Sequence, residues 1–149
     1  MNLTFRDANE SDLPSIVALI VDDEIGQTRE LNSLPEEYVR AFAAMSKSPD
    51  NRFVLAELDG ALAGCLQLTY VPGLSHRGAT RALVETVRVA SNLRGQKIGT
   101  ALMRYAIEEA RKAGCGLVQL TSDNRRARAH LFYRRLGFVQ SHFGFRLKL

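Results

Sequence analysis

Read for the period of its apolar positions, the chain separates into short strands and helices divided by turn residues. Leu3 to Ala8 alternates as an opening strand. Asn9 or Ser11 can cap the helix that follows, Pro14 is tolerated in its first turn, and Ile16, Val17, Leu19 and Ile20 form its buried stripe. Asp22, Asp23 and Glu24 fall at or beyond its C-terminal end, where negative charge opposes the helix dipole, so they are solvated or face a cation. A second helix starts at Leu34-Pro35-Glu36-Glu37, spaces Tyr38, Phe42 and Met45 along one side, and stops before Ser48-Pro49-Asp50. Arg52 to Leu58 and Leu62 to Val71 read as strands around Asp59-Gly60, a hairpin turn signal. Pro72 to Gly78 is a loop, and Arg81 to Val89 is the next strand.

From Ile98 onward Ala101, Leu102, Tyr105, Ala106, Ala110 and Ala113 recur every three or four residues, which predicts an amphipathic helix closed at Gly114. Leu117 to Thr121 is a short buried strand. Ser122 or Asp123 then caps a helix that runs through Leu136 and closes at Gly137, and Phe138 to Leu149 alternates as a final hairpin turning at Gly144. Strands interleaved with helices in this order predict an α/β fold with a mixed, mostly antiparallel sheet and helices on both faces.

Composition narrows this picture. With 149 residues, 46% of them hydrophobic and 24% charged, the chain is expected to be one globular domain able to bury its own core. No apolar run approaches the roughly 20 residues of a membrane helix, and Met1 to Asp7 does not read as a signal peptide, so no membrane association and a cytoplasmic location are expected. Cys65 and Cys115 have no His or Cys at ligand spacing and are expected to be buried free thiols. The net charge of +4 conceals an asymmetry: residues 1–76 hold 5 basic and 12 acidic side chains, and residues 77–149 hold 15 and 4. The two halves therefore carry opposite fields.

The basic half contains the most informative stretch, Val87 to Met103. A strand ends, a basic turn of Arg94, Gly95, Gln96 and Lys97 follows, and a helix begins at Ile98, so that its first free backbone N–H groups and its dipole both point into the turn. An anionic ligand, above all a phosphate, is expected there. The hexad Arg94-Gly95-Gln96-Lys97-Ile98-Gly99 also resembles the signature of the GNAT superfamily of N-acetyltransferases: Arg or Gln, two residues, Gly, one residue, Gly or Ala. It departs at Lys97, where the family usually has a glycine. If Lys97 has helical dihedrals it fits without strain and adds a charge toward the phosphates; otherwise the turn is remodelled.

A second stretch strengthens the resemblance. Thr121 to Phe138, with Asn124, then Phe132-Tyr133 on a helix and Leu136-Gly137-Phe138 at its end, resembles the other hallmark of the superfamily. Within it, Ala129-His-Leu-Phe-Tyr133 with Gln140-Ser-His-Phe143 is similar to the aminoalkylphosphonate N-acetyltransferase group. The likeness is good over residues 52–149 and covers the N-terminal third only in element order. It implies acetyl-CoA as co-substrate, bound by Val87, Arg88 and Val89 on the strand, by Arg94, Gly95, Gln96, Lys97, Ile98, Gly99 and Thr100 at the turn, and by Asn124, Arg126, Phe132 and Tyr133. Asn124 would hold the pantetheine arm; as a bare residue it could equally cap a helix.

Acetyl transfer to an amine needs a base, a polarised carbonyl and an acid for the leaving thiol. An alkyl amine with a pKa near 10 is mostly protonated at neutral pH, so its proton must be taken. Glu85, on the strand between Val84 and Thr86, is the candidate, acting directly or through water as a Glu here does in the family; its apolar flanks would raise its pKa, and its alternative is a structural ion pair across the sheet. Tyr133 is the candidate acid, with core packing as its alternative. The resemblance puts the polarising backbone N–H near Val89, where the strand splays. Arg125, Arg126, Arg128, Arg134 and Arg135 could reach CoA phosphates or form a solvated face. His76, His130 and His142 lack metal spacing, and no metal site is expected.

Rival readings fail on residue order. A P-loop would place its lysine between glycine and threonine, whereas Lys97 precedes Gly99-Thr100. A nucleic-acid surface would interleave stacking aromatics with residues 125–135 and would not carry an acidic N-terminal half, so no nucleic-acid partner is expected. A silent acyl-CoA sensor on the same fold, and an enzyme acting on protein amines, stay open. By resemblance the acidic residues 22, 23, 24, 30, 36 and 37 cover the acceptor pocket, which implies a small cationic amine such as a polyamine or aminated sugar. An aminoalkylphosphonate would instead need His76, Arg77 or Arg81. A homodimer through the last strands is compatible with the pattern.

Overall fold

Asp59 and Gly60 both take left-handed backbone, at φ 51° and 84°, the combination that matches a two-residue turn to the right-handed twist of its strands. The computed structural model describes residues 1–22 and 34–149. Its strands are β1 (Leu3–Asp7), β2 (Asn51–Leu58), β3 (Ala61–Val71), β4 (Arg81–Val89) and β5 (Leu117–Leu120). Its helices are α1 (Leu13–Val21), α2 (Glu36–Ser46), α4 (Ile98–Lys112) and α5 (Ala127–Arg135), and α3 (Ser75–Gly78) is a four-residue turn, left-handed at His76 and Arg77, within the expected loop. Residues Met1–Gln119 make one compact unit, with nearly all of the sheet and α1 to α4; Leu120–Leu149 make a second, with α5.

The sheet follows chain order, β1-β2-β3-β4-β5, antiparallel except for one parallel pair. Alternation along the strands divides its side chains between two helical layers. On one face Leu55 and Cys65 meet Ile16 and Leu19 of α1. On the other, Phe5 stacks on Tyr105 of α4 with ring centroids 4.6 Å apart, and Leu102, Met103, Ala106 and Ala110 form the buried stripe of that helix. The expected fold class is thus observed. Of the stripe expected on α1, Ile16, Val17 and Leu19 are buried and Ile20 is half-buried against the same cluster, and Leu13 extends the stripe one turn earlier.

One charged cluster fixes α4 to the sheet. Arg52 of β2 donates to Glu109 at 2.6 Å, to the Tyr70 and Tyr105 hydroxyls at 3.3 Å each, and pairs with Asp7 at 3.1 Å. Arg6, in turn, bridges Asp12 and Glu57. The Arg52 guanidinium and then the Lys112 ammonium hold the Glu109 carboxyl below its ordinary value, and Arg6 does the same to Asp12.

Three expectations need correction. Residues 138–149 form no strand: a strand requires a ladder partner, and the segment's alternate side chains instead face solvent. Helix α5 begins at Ala127, later than expected: Asp123 spends its carboxylate on the N–H and guanidinium of Arg125, and Arg126, at the N-cap position, makes no side-chain capping bond to the helix. Cys65 is fully buried but Cys115 only half-buried, since it follows the exposed Gly114 end of α4. Asp22 is exposed, as expected, and its Oδ2 also accepts from the Ser91 N–H at 2.9 Å. The expectations for Asp23, Glu24 and Glu30 lie outside the described residues.

The Arg52 cluster predicts acid sensitivity. A carboxyl whose folded pKa lies below its unfolded value of 4.5 contributes stability that is complete above that value and is lost as pH falls through the folded one. Glu109→Gln should therefore cost about 2 kcal/mol at neutral pH and flatten the acid limb of stability against pH, as followed by urea unfolding from pH 7 to pH 3.

Candidate active site

The site is built where β4 breaks. Cys65 is in register with Arg88 and Gln67 with Glu85, so the single residue Leu66 faces both Thr86 and Val87. This is a β-bulge, and Thr86 occupies it at φ 54°, a conformation costly for a β-branched residue. Two consequences follow. One residue's worth of backbone has no ladder partner on β3, and every later side chain changes face. Val89 lies over Gly64 on the α4 side, whereas Glu85 lies beside Gln67 on the α1 side. The bulge thus falls two residues before Val89, the position from which the freed N–H was expected.

Gly64 makes the arrangement possible. A Cβ built there would sit 2.7 Å from the carbonyl oxygen of Arg88, so β3 can approach β4 this closely only without a side chain. Beyond Val89 a 3-10 turn, Ser91–Leu93, is pinned by Asp22 and leads into the basic turn. Arg94 donates to the Val89 carbonyl at 3.3 Å. Gly95 is left-handed at φ 81°, and so is Lys97 at φ 64°. Lys97 therefore does not have helical dihedrals: it keeps the left-handed conformation usually given to glycine, and the turn is held at the strain this costs.

Lys97 is also the N-cap of α4 and gives no side-chain cap hydrogen bond. The first intrahelical bond runs from Ala101 N–H to the Lys97 carbonyl, which leaves the N–H groups of Ile98, Gly99 and Thr100 facing out of the helix end. Residues 94–97 are exposed. A fifteen-residue helix whose first turn has neither an acidic side chain nor a cap is electrostatically open to an anion.

Glu85 is exposed on β4, and among the described residues it has no ion-pair partner, so its structural alternative is not realised. Nor do its neighbours enclose it. Val84 is buried on the α4 side, as a strand directs successive side chains to opposite faces. What does lie beside Glu85 is a polar row that sequence reading missed. The Asn51 Oδ1 accepts from the Thr69 hydroxyl at 2.8 Å and from the Gln67 amide at 3.4 Å, and Gln67 is the cross-strand neighbour of Glu85. Half-buried polar groups at every second position on a central strand were the available signal.

In the second unit, Asn124 is exposed in the turn before α5 and does not cap it. Arg126 is half-buried at the helix start. Tyr133 is braced between Phe132 at 5.1 Å and Phe138 at 6.0 Å, ring to ring. His130 contacts the Asp123 carbonyl at 2.9 Å, and His142 contacts Ser141. Among the described residues no group of three or more His, Cys, Asp or Glu is placed to hold a metal, and no helix is long and apolar enough to cross a membrane.

A mixed sheet whose fourth strand bulges and delivers the chain to an uncapped, basic helix N-terminus defines an acyl-CoA-dependent transferase fold. Residues 15–138 match the Acetyltransferase (GNAT) family, and the chain belongs to it. It is 37% identical to the aminoalkylphosphonate N-acetyltransferase of Salmonella typhimurium over 94% of this chain and 87% of that one. Its fold is similar to the crystal structure of a transcriptional regulator from Bacillus halodurans C-125, with a TM-score of 0.96 at 41% identity over 99% of this chain and all of the other. It is also similar to a putative acetyltransferase from Agrobacterium tumefaciens, with a TM-score of 0.87 at 29% identity over 98% and 99%. The protein is an acetyl-CoA-dependent N-acetyltransferase.

The left-handed Lys97 gives a two-sided prediction. Lys97→Gly should relieve strain and raise stability by about 1 kcal/mol, while removal of the charge lowers acetyl-CoA affinity several-fold. Thermal unfolding and calorimetric titration read the two effects separately; a loss of both would mean that the lysine packs rather than strains.

Proposed function

We propose that the whole chain acts as a single domain that moves the acetyl group of acetyl-CoA directly to the amine of a small molecule, both substrates being bound at once. The observation that carries this reading is the bulged β4, with its freed backbone beside exposed Glu85, leading into the uncapped start of α4. Glu85 accepts a proton from the incoming ammonium, through a water because it is exposed. The backbone N–H of Val87, in the bulge, takes the charge that develops on the carbonyl oxygen. Residues 94–100 receive the phosphates; by the family resemblance Tyr133 donates a proton to the departing sulfur, Asn124 holds the pantetheine arm and Arg126 is a ligand of the cofactor. Direct transfer is favoured over a covalent relay because burial pushes the Cys65 thiol up to about 12 and raises that of Cys115, so neither is a ready nucleophile.

For the acceptor we favour a small amine that also carries an anionic group, such as a phosphonate. The acidic residues that suggested a purely cationic amine are partly committed: Asp22 to Ser91 and Glu36 to Arg40. The relative from Salmonella typhimurium acts, by its name, on aminoalkylphosphonates. The polar row of Asn51, Gln67 and Thr69 offers neutral donors and acceptors beside Glu85.

Two measurements test the reading. Tyr133→Phe should lower kcat by about 100-fold with little change in acetyl-CoA affinity, and Glu85→Gln should move the activity optimum to higher pH, toward the free amine. Equal losses of turnover and affinity in the first, or an unmoved pH profile in the second, would refute the assigned roles. An aminoalkylphosphonate should exceed a diamine of equal length in kcat/KM by at least about tenfold; the reverse order would restore the cationic acceptor.

A further inference from the structure

Cys65 lies between β3 and α1, wholly buried with Ile16, Leu19 and Leu55. Its residue type marks it only as a free thiol, and the transfer proposed above makes no use of its sulfur. That sulfur is nonetheless placed at the bulge. The thiol donates to the Thr86 carbonyl at 3.7 Å. Burial pushes its pKa up to about 12, against the charge of Arg88 and the Arg88 backbone N–H, which reaches the same sulfur. The thiol therefore keeps its proton and remains a donor at neutral pH. One atom thus spans the irregularity, from the carbonyl of residue 86 to the amide of residue 88. On either side of it the strands pair: Gln67 is in register with Glu85, and beyond Arg88 the Ala90 N–H donates to the Ala63 carbonyl at 2.9 Å. A bulged residue leaves the ladder, and its backbone groups need other partners. A thiol supplies one within an apolar layer at little desolvation cost, because it packs as a small hydrophobe.

The consequence falls on Val87. The Thr86 C=O and the Val87 N–H belong to one planar trans peptide, so they point in opposite directions. Holding the carbonyl toward β3 holds the N–H away from it. Left-handed Thr86, at φ 54°, has a lower-energy alternative in the extended region, and reaching it would turn this peptide. A donor to a developing oxyanion is effective only when its direction is settled before the reaction. We infer that Cys65 is a positioning residue for acetyl transfer: its thiol holds the Thr86 carbonyl and thereby aims the Val87 N–H at the thioester oxygen. A thiol is a weak donor, so what it contributes is direction more than stability. The inference rests on the reading that the bulge amide takes the carbonyl charge, and every residue it uses lies within Met1–Gln119.

Three substitutions separate aim from packing. Cys65→Val fills the space without a donor, Cys65→Ala empties it without a donor, and Cys65→Ser keeps a donor while burying a hydroxyl. Turnover is followed with acetyl-CoA and, in parallel, an aminoalkylphosphonate and a diamine as acceptors. In the valine and alanine variants kcat should fall about tenfold, with the Kd for acetyl-CoA within about twofold of the unsubstituted protein. Serine should turn over at least about threefold faster than valine, although its buried hydroxyl gives it the lower Tm of the two. Packing alone cannot rank turnover and stability in opposite orders. A donorless variant as fast as the unsubstituted protein, or turnover that follows Tm across all three, would overturn the proposal. Replacing Val87 by its α-hydroxy acid tests the parent reading separately, since it exchanges the amide N–H for an ester oxygen and should lower kcat about 100-fold. An ester without effect would refute the oxyanion donor itself. A slow ester beside fast valine and alanine variants would refute only the part given to the thiol.

Discussion

Two neighbouring strands have to touch at one point and part at the next, and the rest of the site depends on that. At Gly64 the backbones of β3 and β4 come closer than any side chain would allow. Three positions along, one extra residue is forced into β4, and Thr86 takes a conformation that a β-branched side chain resists. The cost, of order 1–3 kcal/mol, is sustained by the long β2–β3 ladder, which shifts register once at Ala56–Glu57, and by apolar layers on both faces. Freed backbone within the sheet is what the proposed transfer needs at the carbonyl oxygen: a donor with little reorganisation left to perform.

The bulge matters only because α4 begins where β4 points. The N-terminus of this helix has no cap and no acidic first turn, so its N–H groups and dipole are held for an anion, and two left-handed residues, Gly95 and Lys97, fold the basic turn across them. The other end is anchored. Glu109, one turn from the C-terminus, takes the guanidinium of Arg52 and so fixes the helix against β2. A helix held by an ion pair at one end and left unsatisfied at the other gives a rigid platform for a phosphate, at the expense of stability in acid.

In the second unit, the same logic of unmet demand reads differently. Tyr133 is wedged between two phenylalanines, which fixes the direction of its ring, while beyond Phe138 five large apolar side chains are exposed. A tyrosine set rigidly by its neighbours suits proton donation.

Much of this was legible in the order of residues. The helical spacing of Leu102, Ala106 and Ala110, the Asp59-Gly60 turn, and the strand, basic turn and helix around Arg94 to Gly99 are local signals, since each depends on dihedral preferences and periodicity within a few residues. What tertiary structure decided was everything that depends on a neighbour. Period two would set Glu85, Val87 and Val89 on one face, and the bulge separates them because register belongs to a pair of strands, not to one. Lys97 carries no mark of its left-handed backbone, which is imposed by the turn on both sides. The alternation of residues 138–149 is the clearest case: the pattern specifies a strand, but a strand exists only where another edge meets it.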